Sequence, residues 1–505
     1  AIGHTAMSVN TAGGTENIAI GNYAGDAITS ADYNVLVGFD AGGAINSGGS
    51  NVAIGHDTLK TNSTGINSTA VGRLALQANS TGQENVAVGM QSLQANTTGN
   101  QNTAVGNYAL FTNTTATGNT AVGERALRLN TTGASLTAVG RYALTANTTA
   151  SNNTAVGHEA LAYNTTGANN IAVGKSALYT NVTTSSNVAI GHEALKVNIA
   201  SNNTAVGNAA MIANTTGHSN VGVGHSALVA NTTGVQNVAV GMYTLDANTT
   251  GGYSTAIGYN ALTAATTGGQ NTAVGNNALG AVTTAEGNTA LGNNAGGSIT
   301  TGTRNIAIGN NAYDASDTEN DNIAIGYNAM TTNTAGGIEN LAIGSYAMDT
   351  LTSGDKNIAI GQSSMSAITT ADRNVAVGVR TGYSITTGHD NCALGYYSLY
   401  TNQTGAYNVA LGYYALNVVT AGNNTAIGSE AGLAVTDGSH NTLVGMFAGR
   451  EISGGSNNLM LGSNSGRSTA PGGSITTSSN RITLGNNAID TCNIQTDWTV
   501  ASDKR

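Results

Sequence analysis

The chain has 505 residues, of which only 8% are charged and 5% aromatic, with 69 glycines and a formal net charge of −10. So sparse and acidic a charge leaves no basic face for nucleic acid or for an anionic membrane surface, and no run of about eighteen apolar residues exists to insert in a bilayer. Length alone would suggest several globular domains, but an internal period overrides that inference.

The period is clearest from Asn153 to Asn169, Asn-Thr-Ala-Val-Gly-His-Glu-Ala-Leu-Ala-Tyr-Asn-Thr-Thr-Gly-Ala-Asn, which starts again at Asn170-Ile171-Ala172-Val173-Gly174. It is roughly seventeen residues long, and about twenty-eight copies fill nearly the whole chain. Low charge and few aromatics can mean disorder, but a disordered chain has no reason to keep aliphatic residues at fixed columns. Counting from the Asn, column four is aliphatic, as at Ile20, Val37, Ile54, Val105, Ile308, Leu411 and Leu461, and column two is mostly Val, Ile or Thr. The two columns share one face of a strand, because side chains alternate, and β-branched residues favour extended backbone. That face is expected to be the interior. Column three is almost always Ala, on the opposite face; Ala is too small for core filler, so a long small-residue stripe is expected outside, covered by a second copy of the chain. Column five Gly, as at Gly106 and Gly275, marks a sharp turn.

The second half of the repeat comes in two kinds. Leu or Met in column nine goes with Asn in column twelve, as at Leu127 and Asn130. Gly in column nine goes with an aliphatic in column twelve: Gly25 with Ile28, Gly42 with Ile45, Gly382 with Ile385, Gly432 with Val435, Gly449 with Ile452. Gly466 with Thr469 is the partial exception. One large apolar side chain per coil is kept while its position shifts, so both columns should reach the same core volume. Asn-Thr-Thr-Gly then closes the coil with residues that tolerate left-handed backbone and bond locally. Asn in column one should stack into a ladder hydrogen-bonded along the axis. The Asn-x-Thr triplets match glycan acceptors, but acceptors on successive coils would stand only about 5 Å apart.

Along the chain the spacing shortens by one before Gly207, lengthens by one before Gly344 and shortens again before Gly428. Residues 1–467 read as solenoid shaft. Residues 468–488 read as a loop around Pro471, the only proline, with about six extra residues, followed by a last coil. Residues 489–505 read as an exit segment toward a further C-terminal domain. The opening Ala1-Ile2-Gly3 looks like the tail of a repeat, so the chain is expected to be a piece of something longer.

The Asn-x-Ala-Val/Ile-Gly element resembles the head repeats of trimeric autotransporter adhesins. The fuller Asn-Thr-Ala-Val-Gly-x-x-Ala-Leu-x-x-Asn-Thr-Thr-Gly is similar to repeats of bacteriophage tail-fibre proteins carrying an endosialidase-type intramolecular chaperone. This resemblance implies a left-handed parallel β-roll, a homotrimer and an extracellular or virion setting. Ser502-Asp503-Lys504-Arg505 resembles the start of that chaperone, which would make Ser502 the self-cleavage residue.

The sequence offers little chemistry. His56, His158, His192 and His225 all fall in column six; His158 and His192, two coils or about 10 Å apart, are too far apart to share a metal. Glu159 and Glu193 beside them read as a solvated edge. Cys392, in a strand column, reads as a small buried hydrophobe, and Cys492 lies too many coils away for a disulfide. Nothing points to a catalytic triad, a metal or a cofactor. Tyr396, Tyr397, Tyr413 and Tyr414 gather at columns six and seven, with Tyr383, Tyr400 and Tyr407 nearby. Exposed aromatics there could stack on sugar rings or anchor a protein; a plain stacked ladder or a subunit contact is the structural alternative. The expected molecule is an all-β parallel solenoid, side by side in a homotrimer whose axis runs along the coils. It would act as a non-enzymatic shaft of a phage tail fibre or virion appendage that holds a tip for binding a host-surface glycan or protein. A bacterial surface adhesin or extracellular filament subunit is the alternative. An ice-binding solenoid fits less well, because adjacent Thr-Thr in a turn alternates faces.

Overall fold

A computed structural model describes residues 1–9, 13–333, 336–468, 473, 475–486 and 488. It comprises two compact units, Ala1–Asn271 and Thr272–Arg505, each a parallel β-solenoid. Each full coil contributes one strand of three residues: fifteen in the first unit, from β1 (Ile18–Ile20) to β15 (Thr255–Ile257), and thirteen in the second, from β16 (Thr272–Val274) to β28 (Ile482–Leu484). Among the described residues there is no helix. Neighbouring strands pair in parallel with like columns opposed, as in Thr103↔Thr120, Ala104↔Ala121 and Val105↔Val122. The usual step is 17 residues. It is 16 between Asn187 and Asn203, 18 between Asn322 and Asn340, and 16 again between Asn408 and Asn424, where the slips in spacing fall. Register survives each slip, because the turns absorb it.

The strand faces are the reverse of the expectation. Column three is inside: Ala104, Ala121 and Ala138 are 0% exposed. Columns two and four point outward, and Val122 and Val139 are each 36% exposed. The three-residue burial pattern repeats throughout, intermediate or exposed on either side of a buried centre. The cause is the small cross-section. A coil of 17 residues with only one three-residue strand encloses little volume, most often filled by two alanines, in columns three and eight, and a larger side chain in column nine, such as Ala104, Ala109 and Leu110. Cys392, in column two, accordingly lies exposed rather than buried.

The exchange between columns nine and twelve holds only in part: Leu279 with Val282, Met348 with Leu351, Met365 with Ile368 and Leu416 with Val419 bury an apolar side chain from both columns, so the expectation of one per coil is too strict. Ile28, Ile45, Ile385 and Ile452 are all fully buried or nearly so. A Cβ built on Gly25 would lie 2.9 Å from Ile28 Cδ1, and one on Gly382 would lie 2.9 Å from Ile385 Cδ1. In these glycine coils Ile from column twelve therefore reaches into the space beside column nine. Gly466 is no exception: Ile475 is buried, and its N–H donates to Gly466 O at 3.3 Å, as Ile28 N–H does to Gly25 O. The extra residues thus enter between columns nine and twelve, and the step from Asn458 to Arg481 becomes 23 residues. Residues 469–472 and 474, Pro471 among them, lie outside the described set. Three coils carry a large residue in column three, Leu36, Leu443 and Met460, and each has Gly in column nine. A Cβ on Gly42 would meet Leu36 Cδ2 at 2.8 Å, and one on Gly466 would meet Met460 Sδ at 2.8 Å.

Two asparagine ladders complete the interior. In column twelve, Nδ2 of each Asn donates to Oδ1 of the Asn one coil earlier, as in Asn113 to Asn96 at 3.0 Å and Asn130 to Asn113 at 3.0 Å. In column one, the backbone N–H of Asn119 donates to Asn102 Oδ1 at 3.1 Å. Both ladders then converge on one carbonyl per coil: Asn51 Nδ2 and Asn62 Nδ2 donate to Gly65 O at 2.9 and 3.0 Å. A polar amide in so narrow a core is tolerated when its hydrogen bonds are made, and the ladders make them except at Asn248 and Asn333, where column twelve loses its next Asn and Oδ1 is buried without a partner. Thr hydroxyls of column thirteen add an outer row, Thr97 Oγ1 donating to Thr114 O at 3.0 Å.

Left-handed backbone falls where the sequence did not place it. Columns seven, nine and seventeen carry it, as at Tyr108 (φ 59°), Leu110 (φ 50°) and Gln101 (φ 57°), whereas Asn113 and Gly133 of the Asn-Thr-Thr-Gly turn do not. A left-handed Leu costs about 1–2 kcal/mol, so Gly in column nine relieves strain as well as making room. Column five Gly is required twice over: Gly106 has φ 136°, and a Cβ there would sit 2.5 Å from Gly123 O on the next coil.

Candidate functional site

Because like columns stack, a surface residue type used twice in succession becomes a ladder. Column six lies exposed just after the turn glycine, and column seven follows it in left-handed backbone, with Tyr397 and Tyr414 both at φ 54°. Tyr396 and Tyr413 therefore stack, ring centroids 5.7 Å apart and planes 6° from parallel; Tyr397 and Tyr414 do the same at 5.3 Å and 6°. Within a coil the adjacent rings are 4.5 Å apart. The four tyrosines nominated from sequence thus form one cluster. Tyr396 and Tyr413 are 45% and 50% exposed, while Tyr397 and Tyr414 are half-buried beside them.

Tyr400 joins through Tyr397 at 4.9 Å, and Tyr383 stacks on Tyr400 at 5.2 Å. Tyr407 does not join; its ring meets His389 edge-on at 5.2 Å. The sequence reading missed Arg380. It stands in column seven one coil before Tyr397, donates from Nη1 to Tyr397 OH at 2.6 Å, and its guanidinium lies 5.6 and 5.9 Å from the Tyr397 and Tyr383 rings. Reading column seven downward as Arg380, Tyr397, Tyr414 would have found it. Shielding from water raises the Tyr396 and Tyr414 phenols above their ordinary range, and the bond to Tyr397 raises the Arg380 guanidinium. All three keep their usual charge at neutral pH, so the cluster is a neutral aromatic plate with a cation at its edge. Such a plate can stack against an apolar ring face or take a partner's aromatic side chain. A shallow hollow of about 250 Å³ beside it includes Tyr413 and Tyr414 and the pair Arg450 Nε–Glu430 Oε2 at 2.6 Å.

The histidines of column six do not converge. His56 and His158 each pair with the acid next in sequence, Asp57 at 3.1 Å and Glu159 at 3.6 Å. Among the described residues no three His, Cys, Asp or Glu side chains come together as a metal site, and no helix is long and apolar enough to cross a membrane. Glu193 is held below the usual carboxylate range by Lys196, 2.7 Å away. Ser502 and Cys492 lie outside the described residues.

Fold and surface together define the class, a repeat protein of the parallel β-solenoid type. No protein-family model matches the chain, and no curated protein is similar to it in sequence.

Proposed function

We propose that the chain is a structural, non-enzymatic shaft of a phage tail fibre or virion appendage, built from laterally associated copies of itself. The observation that carries this reading is the outward aliphatic face. Column four presents Val, Ile or Leu coil after coil and column two mixes Val, Ile and Leu with Thr, with Ile171 at 40% and Leu291 at 49% exposed. A periodic apolar stripe of this kind calls for a cover with the same period, and a second copy has it. Because every coil carries the stripe, the symmetry axis of the association follows the coils. The family resemblance implies three copies. The neutral ladders inside each unit supply stiffness without a cofactor, as a spacer requires. The tyrosine plate around Tyr396 and Tyr413 would then be a lateral contact for a host-surface glycan or protein.

Sedimentation mass tests the assembly: three copies are expected, and a stable monomer removes the trimer. Imaging of the native particle tests the setting. Rods on capsids support the virion reading, whereas filaments on a cell envelope would replace it with the adhesin or filament alternative.

A further inference from the structure

A second surface feature, in the first unit, is concave rather than flat. A groove of about 390 Å³ crosses four successive coils between Arg125 and Tyr179. Its walls are made by columns seven, ten and eleven, none of which belongs to the outward strand face, so association through that face leaves it open. The groove exists because three of the four column-ten and column-eleven positions of the middle coils are small, Thr145, Ala146 and Ala162, between Arg128 and Leu129 on one side and Tyr163 and Tyr179 on the other. Ala146 and Ala162 make an apolar floor. At one end Tyr163 and Tyr179 stand edge-to-face, 4.9 Å between centroids. At the other end are two guanidinium groups.

Those two groups are under-used. Arg128 Nε and Arg125 Nε are both buried without a hydrogen-bond partner. Arg125 spends Nη1 on Tyr142 OH at 3.0 Å, and its ion pair with Glu124 is long, at 3.8 Å. Glu124 itself sits closer to Arg141, at 3.3 Å. Glu159 is the one carboxylate lining the groove, against the two arginines. Unpaired, partly desolvated guanidinium donors favour an anionic partner with planar, two-oxygen geometry.

We propose that this groove binds a sugar bearing a carboxylate, a uronic-acid type unit of a polysaccharide. The carboxylate meets Arg125 and Arg128, the apolar ring face lies over Ala146 and Ala162 against Tyr163, and the hydroxyls reach Thr145 and Glu159. A volume at the small end of the ligand-pocket range, about 300–1,000 Å³, suits one or two rings. The polar rim of Thr145, Glu159 and the Tyr142 hydroxyl is what favours a sugar over an aromatic acid, which has no hydroxyls to offer it.

The test is calorimetric titration of the full chain with an oligogalacturonate, a neutral oligosaccharide of equal length, and phenylacetate. The acidic sugar is expected to bind, more weakly as salt is added, and at least about tenfold more tightly than the neutral one. Arg128→Gln should weaken that binding by about tenfold or more with an unchanged melting curve. Should Arg128→Gln fail to fold, Thr145→Trp, which fills the groove from a surface column, must abolish binding instead. Equal affinity for acidic and neutral sugars, preference for phenylacetate, no binding of the acidic sugar, or indifference to these substitutions would each overturn the proposal.

Discussion

A buried amide in this protein is structural. Asn130 Nδ2 donates to Asn113 Oδ1 at 3.0 Å and to Gly133 O at 2.9 Å, while its own Oδ1 accepts from Asn147 Nδ2 at 2.9 Å. Asn130→Leu adds apolar bulk but strands a donor and an acceptor in a dry core. It should lower stability by about 2–3 kcal/mol, read from urea unfolding, and no loss would mean that the ladder is decorative. One coil shows what replacing the ladder takes. Ser316 stands in column twelve, and the hydroxyl of buried Tyr313 fills the gap, accepting from Asn322 Nδ2 at 2.7 Å and Asn333 Nδ2 at 3.3 Å. Burial raises the Tyr313 phenol above its ordinary value of 10.0. Well below pH 10 the phenol is protonated whether the chain is folded or not, so it adds no pH dependence there. Above that point the unfolded chain releases the proton while the folded one holds it, so stability falls with rising pH. The urea midpoint should therefore drop between pH 9 and pH 11, and drop less in Tyr313→Phe; equal drops would remove Tyr313 as the cause.

At the scale of the coil, the sequence was legible where it recorded compensation and misleading where it recorded hydrophobicity alone. Gly25 with Ile28 records such compensation, Ile28 Cδ1 lying against the site of a Gly25 Cβ, whereas Leu279 with Val282 and Leu416 with Val419 show coils that bury both columns without it. The strand faces misled because apolar residues are a poor marker of the inside when so little inside exists. Val105 and Val122 stand one residue beyond column three, the strand position that faces inward and is nearly always Ala, and their β-branching serves extended backbone instead. The usable signal was size: Leu36, Leu443 and Met460 enter column three only where column nine is Gly, which is how neighbours sharing a core behave. The tyrosine cluster was legible because its columns stack, and Arg380 was legible in the same column seven though it was missed; the Arg128 groove depends on side-chain reach between coils, which periodicity does not record. The exchange can be tested as a double-mutant cycle. Gly382→Leu alone forces a side chain against Ile385 Cδ1, 2.9 Å from the site of its Cβ, and Met365 Cγ at 3.3 Å, and should cost about 1–3 kcal/mol. Adding Ile385→Asn converts the coil to the other kind, with Asn402 next in the ladder, and should restore at least half of the loss. Additive effects in denaturant unfolding would show that the two columns do not share a volume.

At the scale of the whole molecule, the inversion of the strand faces changes which surface can hold copies together. An alanine stripe would permit close backbone approach but offers little area, whereas Val105, Val122, Val139 and Val156 stand in register as a continuous outward column of the first unit. Substituting Val122 and Val139 with Lys separates two consequences that an interior position would merge. An outward Lys keeps its amine in water and its stem along the strand, so each coil should stay folded and the β-sheet circular dichroism unchanged. Two like charges on successive coils, about 5 Å apart, would meet the same pair on every other copy across an axis that runs along the coils. Desolvating them there is unfavourable, so if copies associate through this face as proposed, sedimentation mass should fall to that of a single chain. Loss of the sheet signal together with the mass would put these valines back in the core. An unchanged mass would move the interface to another face and leave the aliphatic columns without a cover.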